Sequence, residues 1–173
     1  MRTLVVALIG VVAFASGVML GFKLDEEQGG AVSTTALPAA VEEARAAILD
    51  AAESGDYEKL SPLVPETGFE YTFGGPVEGG AIAYWQELER TTDERPLEAL
   101  AAILEMPYVL SHGYYVWPFA YTVENKADLS AHERQLLAPL GSPDELIADG
   151  TGYLGWRAGF EPDGTWAFFV AGD

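Results

Sequence analysis

No cysteine occurs among the 173 residues, which excludes disulfides, thiolate nucleophiles, cysteine zinc sites and the acylated cysteine of a lipoprotein. Stability must therefore come from packing. Histidine is almost as scarce, since only His112 and His132 are present. They form no HxH or HExxH pattern and have no clustered carboxylate partner, so neither a metal nor a cofactor is expected. Basic residues number 9 against 27 acidic ones, for a formal charge of −18. Such a surface repels phosphate backbones and carries no basic stripe, which excludes nucleic acid as a partner. The acids run from Asp25 to Asp173 without a long block and read as a solvated face; a saline habitat and a cationic partner would account for them equally well. GxSxG, P-loop, Rossmann and EF-hand patterns are also missing.

What is present is apolar and aromatic: 49% of the residues are hydrophobic, and 12% of all residues are Phe, Trp or Tyr. That content suits one globular domain with one sizeable core. Ahead of it, Leu4 to Phe22 runs without a charge, between Arg2 and the acidic Asp25, Glu26 and Glu27. At 1.5 Å rise per residue this stretch reaches roughly 28 Å, the thickness of a bilayer's hydrocarbon. Residues 1–24 thus read as an uncleaved anchor or as a signal peptide cut after Ala13-Phe14-Ala15; the apolar run continuing through Val18, Met19 and Leu20 favours the anchor. Either way the remainder is expected outside the cytoplasm, in the cell envelope, as a single-pass protein with its N-terminus inside or as a released periplasmic one. Gly17 and Gly21 form a GxxxG that would let two such helices pair, making a homodimer. Residues 25–37 are mostly small and polar, a tether to a domain at 38–173.

Within that domain Val41, Ala44, Ile48 and Ala51 are spaced for a helix that Gly55 ends, and a shorter one follows from Tyr57 to Leu63. Phe69, Tyr71 and Phe73 alternate as in a strand. Two helices are expected at 82–90 and 97–104, the second with Pro96 in its first turn. Gly113 to Val123 reads as one long strand covered on both faces, with Pro118 marking an edge position or a bulge. Ser130-Ala-His-Glu133 and Ser142-Pro-Asp-Glu145 are capping boxes that announce helices at 131–138 and 143–149. Leu154, Trp156, Ala158 and Phe160, then Pro162-Asp163-Gly164, then Trp166, Phe168 and Val170 read as a closing hairpin. The expected class is α+β: a curved antiparallel sheet packed against N-terminal and central helices.

The sequence Ala51-x-x-x-Gly55-Asp56-Tyr57-x-x-Leu60, the aromatic strand at 69–73 and the hairpin ending FFVAGD together resemble the NTF2-like superfamily, the SnoaL-type cone-shaped α+β domains. The resemblance implies a strongly curved sheet around a helix with a pocket at its open end, in a family of isomerases, hydrolases and non-catalytic binding domains. It departs in one respect: two capped helices at 131–149 separate the long aromatic strand from the last hairpin. No catalytic residue of the family maps onto this chain.

Four residues are candidates for a ligand site. His112 opens the aromatic strand, where it would act as an acid or base at a pocket mouth or simply end a strand. Tyr114 and Trp117 would line an aromatic cavity or the plain core. Arg157, the one basic residue of the closing hairpin, must pair with a carboxylate or lie across a ring, because a buried bare guanidinium is costly. The leading expectation is a non-enzymatic exported domain with a protein partner in the envelope, held to the membrane through residues 4–22 if these are not cleaved. The alternative is a small enzyme or lipophilic-ligand binder with an aromatic pocket, for which His112 or Arg157 should share an enclosed cavity with a carboxylate.

Overall fold

The computed structural model describes residues 36–172, so the membrane segment at 4–22 and most of the tether lie outside the described residues. Among the described residues no helix is long and apolar enough to cross a membrane. Helix α1 (Ala39–Glu53) buries Val41, Ile48, Ala51 and Ala52 along one stripe and stops at Gly55, whose φ of 67° glycine adopts without steric cost. Asp56 then accepts a hydrogen bond from the Glu58 N–H and starts α2 (Tyr57–Leu60), which continues as a 3-10 turn at Ser61–Leu63. Helix α3 (Gly80–Thr91) sends Trp85 wholly into the interior. Helix α4 (Pro96–Leu104) buries Leu97, Leu100, Ile103 and Leu104 and packs on α1.

The strands follow. Strands β1 (Val109–Ser111) and β2 (Tyr114–Trp117) form a hairpin; then come α5 (Ala131–Leu137), α6 (Pro143–Leu146), a short pair β3 (Ile147–Ala148) and β4 (Gly152–Tyr153), and finally β5 (Arg157–Phe160) and β6 (Trp166–Val170). The main sheet is antiparallel with order β1-β2-β5-β6, so the protein is α+β with an open four-stranded sheet. The helical excursion between β2 and β5 does not interrupt that sheet. The chain leaves at Trp117, returns, and pairs β5 directly with β2 at Tyr115↔Phe160, Val116↔Gly159 and Trp117↔Ala158.

Two apolar clusters flank the sheet. Helices α1, α3 and α4 cover one face, meeting Trp117, Ala158, Phe160, Trp166 and Phe169. The excursion covers the other, where Val109 and Val116 meet Phe119, Ala120, Leu137, Ile147 and Tyr153. Neighbouring residues Val116 and Trp117 therefore enter different clusters, as a strand covered on both faces requires. Phe160 and Phe169, both fully buried, each contribute about 2–3 kcal/mol by leaving water. Trp156 stacks on Phe169 at 4.5 Å, Trp85 meets Phe169 edge-on at 5.3 Å, and Phe69 leans on Trp166 at 4.7 Å. The aromatic side chains of this cluster fill it by packing on one another.

Four expectations are corrected. The strand expected to run to Val123 ends at Trp117: Pro118 has no N–H to continue the ladder, and Phe119–Thr122 coil into a 3-10 turn. Pro118 thus marks neither an edge nor a bulge. The strand expected at 69–73 is reduced to a single parallel bridge, Glu70 to Phe168, in which the Glu70 N–H donates to the Ala167 carbonyl (3.0 Å) and the Phe169 N–H to the Glu70 carbonyl (2.9 Å). Phe69 and Tyr71 turn inward, while Phe73 breaks the alternation and is 55% exposed. The helix expected at 143–149 stops at Leu146 and becomes β3. Finally, alternation from Trp166 would put Phe168 on its face. A β-bulge where Gly159 and Phe160 meet β6 shifts the phase, so Trp166 and Phe169 share the helix-side core and Phe168 lies on the other face, against Tyr114.

A candidate functional site between the helix pair and the closing hairpin

His112 is placed by its turn. Ser111 pairs with Tyr114, which leaves His112 and Gly113 as a two-residue hairpin loop with φ of 52° and 88°, the left-handed pair that a primed turn demands. Its ring nitrogen Nδ1 lies 3.0 Å from the Ser111 hydroxyl. His112 and Tyr114 line a cleft of about 220 Å³ together with Glu70, Tyr121, Glu161 and Phe168. Trp117 lies elsewhere: it is 1% exposed, wedged edge-on against Phe160 at 5.4 Å.

Arg157 lies across rings. Its guanidinium carbon is 5.1 Å from the centroid of Phe73 and 5.9 Å from that of Tyr121, and Nη1 donates to the Tyr153 carbonyl at 3.2 Å. This geometry keeps a half-buried cation solvated by π-faces and a carbonyl. Tyr121 joins it to the His112 cleft, and Phe73 joins it to something larger.

Two open grooves meet at Tyr71, Thr72 and Phe73. One, of about 980 Å³, runs along residues 61–82 and is bounded by Val64, Phe69, Val77 and Ile82. The other, of about 830 Å³, lies between the α3–α4 junction, the segment leading into α6, and the entry to β5. Its lining is mixed, and the apolar part comes from Tyr84, Leu88, Leu140, Leu146, Leu154 and Trp156. Its rim carries Asp93, Glu94, Glu98 and Glu145, all exposed, against the single cation Arg95. The Arg95 guanidinium is turned to main chain, donating to the carbonyls of Thr92 and Glu94.

Two of the rim carboxylates are held by hydrogen bonds. The Trp156 indole N–H donates to Glu94 Oε2 at 2.8 Å, tying the α3–α4 junction to a residue 62 positions away. Glu145 is the reciprocal partner in a capping box; the Ser142 backbone N–H and then its hydroxyl hold that carboxyl below the usual range, so it stays ionised. Behind the floor, Tyr153 donates to the Trp156 carbonyl at 3.0 Å, and burial pushes its phenol upward, with the nearby Arg157 opposing. Among the described residues no group of three or more His, Asp or Glu is arranged to hold a metal ion. The chemistry on offer is charge and hydrogen-bond acceptance around an apolar trough.

This groove had no local signature in the sequence. Asp93-Glu-Arg-Pro-Leu-Glu98 looks like an ordinary helix-to-helix link, Glu145 is accounted for by capping, and Trp156 by the hairpin pattern. Only long-range folding brings them to one place. Comparison of the chain with protein-family models gives no match, and neither does comparison with curated proteins or with solved structures.

Proposed function

We propose that this chain is a non-catalytic binding domain of the cell envelope, tethered through residues 4–22 or released by cleavage after Ala15, and that the acidic-rimmed groove is where a protein partner docks. The observation that carries this reading is the groove itself: apolar side chains beside four carboxylates from the α3–α4 junction, α4 and α6, of which Glu94 is held by Trp156 and Glu145 by Ser142. Interaction sites combine an apolar centre with a polar rim in this way. The filled aromatic core supports the same reading, because the residues that would have walled a cone-shaped pocket pack on each other. A cleft of 220 Å³ at His112 is below the size of most small-molecule sites.

The groove along 61–82 is the observation that favours a second reading, a binder of lipophilic ligands. Its lining includes Phe69, Tyr71 and Ile82, but neither His112 nor Arg157.

Photo-crosslinking in cells separates them. A benzophenone amino acid at Ala102 or Pro139, both in the acidic groove, should yield a discrete protein adduct that the same group at exposed Gln135 does not. No adduct from either groove position, or the same adduct from all three, would reject the docking site. Native mass spectrometry of the chain from its own membranes, showing a retained lipid and no protein adduct, would shift the assignment to the second reading.

A further inference from the structure

Resting on the binding-domain reading, we infer that the groove's occupant is a cationic amphipathic segment of another protein, with apolar side chains on the trough and Lys or Arg against the rim. Three observations select that chemistry. The rim holds four carboxylates and one guanidinium, which disfavours any partner that presents phosphate or carboxylate. The lining includes Tyr84, Leu88, Leu140, Leu154 and Trp156, apolar area that a small polyamine or a metal ion would leave uncovered. Phe73, more than half exposed, also lines the groove and is held by the Arg157 guanidinium over its ring, an aromatic surface for the partner beside a second cation that the four carboxylates outnumber.

The rim carboxylates differ in how free they are to bind. Glu94 already accepts from Trp156, and Glu145 from Ser142. Asp93 and Glu98 flank the start of α4 and are exposed, so they are the groups that meet the partner's cations. Removing both leaves the capping box and the Trp156 hydrogen bond untouched.

The test uses the full chain in nanodiscs of zwitterionic lipid, with empty nanodiscs as blank, and reads the anisotropy of labelled helical peptides of about four turns. One peptide carries a leucine stripe with lysines elsewhere, a second replaces its leucines by glutamine, and a third replaces its lysines by glutamate. The Leu/Lys peptide should bind, the Gln/Lys peptide at least about tenfold more weakly, and the Leu/Glu peptide not at all. D93N with E98Q should weaken the Leu/Lys peptide about tenfold at low salt. E53Q with E58Q, an equal change of charge on exposed residues outside the groove, should leave it within about twofold. Equal loss from both pairs would mean that the overall charge of −18 attracts the peptide, and would overturn the inference. So would equal binding of the first two peptides, or no binding of the first. If the groove photo-adduct forms while the Leu/Lys peptide does not bind, only the occupant's chemistry is wrong; if the adduct is also missing, the binding-domain reading fails with it.

Discussion

Replacing Gly159 by alanine tests how the sheet's outer face is built. An alanine Cβ at that position would fall 2.2 Å from Cε1 and Cζ of Phe168 and 2.9 Å from Cδ1. Carbon atoms rest at about 3.5–4.0 Å, so the ring must retreat by about 1.5 Å. Retreat breaks its edge-on contact with Tyr114, now at 5.8 Å between centroids. Overpacking of this kind costs about 1–3 kcal/mol and the lost aromatic pair about 0.5–1.5 kcal/mol. Against this, alanine recovers about 0.5–1 kcal/mol of chain entropy, and a half-buried ring has room to move, so the net loss should be about 2 kcal/mol. At this domain size that is about 6 °C in Tm. The assay is a double-mutant cycle by urea unfolding. In a Phe168→Ala background the obstacle is gone, and Gly159→Ala should then be neutral or slightly stabilising. Equal destabilisation in both backgrounds would refute the claim that the ring is the cause.

Truncation before Trp166 removes β6, and with it Trp166 and Phe169 from the helix-side core; calorimetry should show no cooperative transition, and an unchanged one would contradict the packing described here. Alkaline pH should destabilise the fold through its buried tyrosines. Burial raises the phenol of Tyr153 above its ordinary 10.0, and burial together with Glu89 raises that of Tyr57. The folded state therefore keeps protons that the unfolded chain releases, so this contribution is complete below pH 10 and is lost as pH rises beyond it, by about 1.4 kcal/mol per pH unit for Tyr153. Urea midpoints at pH 9, 10 and 11 should show a shallower fall for Tyr153→Phe than for the parent; identical slopes would count against it. Arg157→Gln should cost about 1–2 kcal/mol through its two ring contacts and carbonyl bond, read as a Tm drop of about 3–6 °C, and an unchanged Tm would deny those contacts any weight. Ser130→Ala breaks a reciprocal cap whose Glu133 is only 5% exposed and should cost about 1 kcal/mol in chemical denaturation; no loss would show the cap to be idle.

Elements fixed by local chemistry were readable in advance. The helices at 39–53 and 96–104 follow from apolar spacing plus Gly55 and Pro96. The turn at Pro162-Asp163-Gly164 follows from a glycine at φ 91° and from Asp163 accepting the Thr165 N–H. For Arg157 the sequence left a carboxylate partner and a ring face both open, because a bare buried guanidinium is costly; its guanidinium lies over Phe73. What escaped was decided at a distance. Whether Phe69 to Phe73 becomes a strand depends on β6, whose edge accepts only Glu70; the phase of Trp166 depends on a bulge opposite Gly159; and the groove depends on Glu94 meeting Trp156. Alternation is a property of a neighbourhood, and one sequence segment does not contain its neighbours.

The bridge at Glu70 has a bearing on solubility. Residues 166–170, Trp-Ala-Phe-Phe-Val, hold no charge and no proline, the composition that joins copies edge to edge into fibres. They form the outermost strand of the sheet, yet Glu70 pairs with the Ala167 carbonyl and the Phe169 N–H on that edge and sets an exposed carboxylate beside them. The segment around Glu70 thus acts as a guard on the sheet's edge. Damage to it would surface first as self-association of otherwise folded molecules.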